Sequence, residues 1–79
     1  MAVFFDRTYV AGYPVRETHR YAFDKDGRLI VSVREVTDFG RDQTDETRHL
    51  PIDRYLETAP TEGVAALKLA VGSRVQWDD

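Results

Sequence analysis

The sequence predicts an α+β domain: a small antiparallel three- to four-stranded β-meander followed by two C-terminal helices packed on one face. Three observations carry that prediction. The first 37 residues are rich in β-branched and aromatic side chains and are punctuated by glycine-containing turns, which suits strands. The stretch Asp24-Lys25-Asp26-Gly27-Arg28 then sets a hairpin register that lines up apolar residues on one side. After Leu50 the apolar spacing changes to three and four, the period of a helix.

Taken in order, residues 3–10 form the first predicted strand, and Gly12 and Pro14 punctuate the turn after it. Phe4 and Phe5 are consecutive, so strand alternation sends them to opposite faces of the sheet. Ile30 and Val36 add apolar groups to the outer side of the third strand. Both faces are therefore expected to be partly covered, and a second covered face points to self-association, because a small antiparallel sheet usually buries one face only.

Residues 15–23 and 29–37 make the second and third strands. The twelve residues from Asp24 to Glu35 also resemble a calcium loop, with Asp24, Asp26, Val31 and Glu35 at suitable positions. Arg28 stands where a fifth-position oxygen ligand is needed, however, and Leu29 stands where the sharp bend requires glycine. The hairpin reading is the better one. With Gly27 in a left-handed bulge position, Phe23 faces Leu29, Tyr21 faces Val31 and His19 faces Val33, whereas a one-residue slip would set Tyr21 against Ser32.

Residues 38–49 contain one apolar side chain, Phe39, in twelve. Such a segment is either a mobile excursion or a short extra hairpin, and its composition favours the mobile loop. The helical region spans residues 51–72. Pro51 suits a first helical position, Ile52, Tyr55 and Leu56 share a face, and Pro60 stops the first helix. Thr61 is a candidate cap for the second helix, Val64, Leu67 and Val71 form its apolar set, and Gly72 ends it. After Glu62 its one charge is Lys68, so the helix is expected to pack on the sheet and to be partly covered on its other side. In the tail, residues 73–79, Val75 and Trp77 alternate with Arg74, Gln76 and Asp78, which suits an edge strand or an extended arm.

Composition narrows the function classes. The 79 residues make one domain with a thin stability margin, and the absence of cysteine removes both disulfides and thiolate metal ligands. No apolar run approaches the ~20 residues of a membrane helix, and the first residues lack signal-peptide features, so the expected compartment is the cytoplasm. A net charge of −3 argues against nucleic-acid binding by phosphate neutralisation, although nine of the eleven basic residues are arginine and could cluster.

Candidate sites are sparse. His19 and His49 lack further ligands at metal spacing, so each reads as a structural residue, His19 packing at the sheet edge and His49 preceding a helix. The register sets Glu17 opposite Glu35, where one could titrate high or pair with Arg7; the plainer reading leaves both solvated at frayed strand ends. Tyr9, Arg20, Tyr21 and Phe23 superficially resemble a base-stacking surface, but Tyr21 and Phe23 share the core register. Neither metal nor cofactor is expected.

The sequence therefore predicts a non-catalytic protein-binding module, an accessory subunit or small regulator, that forms a homodimer. Its expected contact residues are Phe39, Asp42, Asp45 and Glu46 in the polar segment, Lys68 and Leu69 on the second helix, and Trp77, which is either core or interface. The alternatives are a sheet-based RNA or single-stranded nucleic-acid binder using Arg7, Arg20 and Arg34, and an acidic inhibitor of a nucleic-acid enzyme using Asp42, Asp45 and Glu46.

Overall fold

Alternation along the second strand sorts the whole molecule into an inside and an outside. In the structure, a computed structural model that describes residues 2–77, four strands follow one another: β1 (Ala2–Ala11), β2 (Tyr13–Phe23), β3 (Leu29–Asp38) and β4 (Gln43–Pro51). They pair antiparallel in the order β1-β2-β3-β4. Two helices, α1 (Ile52–Thr58) and α2 (Thr61–Val71), and a 3₁₀ turn at Gly72–Arg74 complete the described chain.

The β2–β3 hairpin has the register expected from Gly27. Phe23 pairs with Leu29, Tyr21 with Val31, His19 with Val33 and Glu17 with Glu35. Gly27 has φ +77°, a conformation that costs a residue with a side chain dearly. Asp24 Oδ1 accepts hydrogen bonds from the amides of Asp26 and Arg28, both at 2.9 Å, so the carboxylate that heads the calcium-like pattern caps the turn. These twelve residues are a turn and a strand.

Phe4 and Phe5 depart from simple alternation. The β1–β2 register shifts between Val3 and Phe5, a bulge that leaves Phe4 as the extra residue. Both rings consequently approach His19, with centroids at 5.9 and 5.0 Å. The expectation that they divide between the two faces is corrected.

The polar segment is also different from the favoured expectation, since it is mostly strand. Phe39 N donates to Asp42 O at 2.8 Å to close the turn, and β4 runs alongside β3 from there. Every residue of β4 except Leu50 is exposed, which is why no apolar alternation announces it. Cross-strand side chains hold it instead: Arg34 with Asp45, Arg48 with Glu35 and Ser32 with His49. An edge strand dressed in charges also resists pairing with other chains.

Pro51 ends β4 and directly precedes α1, while Ala59 is extended ahead of Pro60, as the residue before a proline prefers. Thr61 is the first residue of α2 rather than its cap; Pro60 occupies the cap position and no side chain bonds there. Gly72, with φ +56°, ends the helix and donates its amide to Lys68 O. The tail does not form an edge strand within the described residues. It makes the 3₁₀ turn and then lays Val75 and Trp77 against the core, while Asp78 and Asp79 lie outside the described residues.

Leu29, Val31 and Val33 of β3 form the core with Tyr55, Leu67 and Val71 from the helices, flanked by Phe4, Tyr21, Phe23, Leu50 and Ile52. Only one face of the sheet contributes to this cluster. Ile30 and Val36, on the other face, are partly buried and are not among the residues of this cluster.

Candidate functional site

The inward positions of β2 continue past the apolar core into a chain of polar groups. Val15, Glu17, His19, Tyr21 and Phe23 share one side of the strand, and Glu17 and His19 are 4% and 1% exposed. His19 lies on an interior strand, and Glu17 is buried rather than solvated at a frayed end; both expectations are corrected. The reason is α1, whose Tyr55 descends on this stretch of sheet and is itself 1% exposed.

Glu17 Oε1 meets His19 Nε2 in a short contact, and His19 Nδ1 lies 2.6 Å from the Tyr55 hydroxyl. On the other side, Arg7 Nη2 donates to Glu17 Oε2 at 3.3 Å. One proton arrangement satisfies every atom. A neutral imidazole donates from Nε2 to the Glu17 carboxylate and accepts at Nδ1 from Tyr55, while Arg7 balances the carboxylate charge. Burial, followed by the nearby Glu17 charge, pushes the Tyr55 phenol up from its usual value of 10.0, which keeps it a donor.

Gly63 on α2 belongs to the same arrangement. A Cβ there would stand 2.6 Å from the Tyr55 hydroxyl, a backbone-to-side-chain approach that only glycine permits. Beside the chain is a small cavity of about 150 Å³, lined among others by Arg7, Tyr9, Glu17, Glu35, Arg48 and Tyr55. Glu35 faces Glu17 as the register requires and accepts from Arg48 at 3.3 Å. The Arg7 guanidinium stacks over the Tyr9 ring at 4.7 Å, and burial together with Glu17 and Glu35 raises the Tyr9 phenol. Arg7 Nε is the buried side-chain nitrogen left without a partner among the described residues.

Chemically, the carboxylate, imidazole and phenol of this constellation are mutually satisfied and the Arg7 cation stands beside the Glu17 anion, with Arg7 Nε as the unpartnered atom. His19 has both ring nitrogens engaged, and Tyr55 is driven away from the phenolate a nucleophile would need. Its effect is mechanical: it fastens α1 to β2 and fixes how closely α2 can approach. Sequence reasoning found the opposition of Glu17 and Glu35, and it named pairing with Arg7 only as the less favoured alternative to solvated strand ends. It missed Tyr55 and Gly63, which are brought to His19 by tertiary packing across more than thirty residues of chain.

The expected contact residues divide between two ends of a molecule 43 Å long. At the β3–β4 turn, Phe39 meets Tyr13 edge-on with centroids 4.5 Å apart, and Asp42 is exposed beside it. Asp45 and Glu46 are consecutive on β4, so they point to opposite faces; Asp45 pairs with Arg34, and Glu46 lies across from Glu35. At the helical end, Leu69 is 87% exposed. Lys68 Nζ lies 5.5 Å from the Trp77 ring centroid, and the half-buried Trp77 donates from Nε1 to Gly72 O at 3.3 Å. The three arginines of the nucleic-acid reading divide too: Arg20 and Arg34 share the outer face, and Arg7 lies on the helix side.

Comparison of the chain with protein-family models, with curated proteins and with solved structures returns no match.

Proposed function

We propose that this chain is a non-catalytic protein-binding module that self-associates through the outer surface of α2. The observation that carries the reading is an uncovered apolar stripe. Leu69, Ala65 and Ala70 are exposed on α2, and the 39% exposed Leu56 flanks them from α1. The groove between the helices, about 350 Å³, is lined by Leu56, Ala59, Val64 and Ala65, with Thr61 and Lys68 as its polar members. Partial cover of this side was expected from the scarcity of charge on α2, yet no other part of the described chain provides it.

A second copy is the occupant that fits best. A two-fold axis near Ala65 and Ala66 would run two α2 helices antiparallel, and alanines at the crossing let helices approach closely. The same operation brings Glu62, in the first turn, towards Lys68 of the second copy, in the last turn. Burying Leu69 would contribute roughly 1.5–3 kcal/mol for each copy. The satisfied His19 chain supports a binding role over a catalytic one.

Sedimentation velocity over a concentration series tests this. The wild-type chain should shift towards dimer mass as concentration rises, and Leu69→Glu should remain monomeric with an unchanged far-ultraviolet spectrum. A wild-type chain that stays monomeric throughout would overturn the reading.

A further inference from the structure

The face of the sheet turned away from the helices has a charge pattern of its own. Arg16, Thr18 and Arg20 of β2 stand beside Val36, Arg34 and Ser32 of β3, to which they are paired. Although the chain carries a net charge of −3, three cations gather on the two central strands of this face, with the carboxylates of Asp6, Asp38 and Asp45 at its flanks, each of them already holding a hydrogen bond within the chain. They line a shallow groove of about 520 Å³ together with Thr8, Asp38 and Gln43.

The three arginines are not equivalent. Arg34 is held by Asp45 through two hydrogen bonds, at 2.9 and 2.5 Å, and Thr18 donates to Asp6 at 2.7 Å. Arg16 and Arg20 make no ion pair or hydrogen bond through their side chains among the described residues. Four residues of strand separate their Cα atoms by about 13 Å, and Arg34, opposite Thr18, lies between them. An extended polypeptide laid along β2 repeats at the same rise, so acidic side chains four residues apart would meet Arg16 and Arg20 in step.

Two other occupants fit less well. None of the residues lining the groove is aromatic, so it offers no platform for unpaired bases. A second copy stacked face to face about an axis through Thr18 and Arg34 would oppose arginine with arginine, and like charges across a contact are unfavourable. We propose that this face docks an extended acidic segment of a partner protein, with carboxylates bound by Arg16 and Arg20. The surface is separate from the α2 stripe, so either proposal can stand without the other.

Fluorescence anisotropy with a labelled peptide of alternating Glu and Ser, at about 50 mM salt, tests it. The wild-type chain should bind saturably, and the double variant Arg16→Glu/Arg20→Glu should lose at least about tenfold in affinity. Arg54→Glu, on exposed α1, should bind as the wild type does. No saturable binding, or equal loss in Arg54→Glu, would overturn the proposal. So would Arg16- and Arg20-dependent capture of labelled oligo-uridine in place of the peptide, or a change of sedimenting mass in the double variant.

Discussion

The two faces of the sheet are built from alternate residues of the same strands, and they leave similar chemistry in different surroundings. On the inner face of β2, Glu17 and His19 are sealed beneath α1; they bond to each other, and their remaining polar side-chain atoms meet Arg7 and Tyr55. One residue along, on the outer face, the exposed Arg16 and the half-buried Arg20 have no side-chain partner among the described residues. Titratable groups in a strand are therefore not buried or exposed by type. Whether a helix covers them decides.

That contrast predicts very unequal mutational costs. His19→Ala leaves the Glu17 carboxylate buried with half its contacts gone and opens a cavity beside Phe4 and Phe5; a loss of about 3–5 kcal/mol by denaturant titration is expected. A loss below about 1 kcal/mol would mean that the inner face is wetter than described. Gly63→Ala should cost less, about 1–3 kcal/mol, because the Tyr55 ring can retreat at the expense of its bond to His19. Tyr55→Phe should partly relieve that clash, so the double variant should fall short of the sum of the two single changes.

A pH titration sharpens the same comparison. The folded state holds the Tyr55 proton more tightly than the unfolded chain does, so its contribution is complete below pH 10.0, the unfolded value, and is lost as pH rises above it. Tyr55→Phe should flatten this alkaline limb. On the outer face the smallest effect is expected. Arg34 holds the Asp45 carboxyl below its usual value of 3.8, so that pairing is present at neutral pH and disappears as pH falls through the acid range. Both groups are in water, and Asp45→Asn should change only the acid limb, slightly.

Legibility in the sequence followed the same division. The β2–β3 register was readable because Gly27 fixes the turn and because slipping one residue would expose Val31 and Val33. β4 was not readable, since an exposed edge strand held by Arg34, Glu35 and Ser32 needs no apolar alternation of its own. The Phe4 bulge was hidden for a related reason: it answers to the His19 and Tyr55 rings, which local sequence does not reveal. Opposition of Glu17 to Glu35 followed from register alone, but burial of Glu17 required knowing where α1 lands.

Nitrogen-15 spectra of the His19 imidazole at neutral pH test the inner face most directly. A single tautomer with hydrogen on Nε2, and Nδ1 accepting from Tyr55, is the predicted result. An Nδ1–H tautomer, or an averaged pair of tautomers, would contradict the satisfied chain on which the structural reading of this face depends.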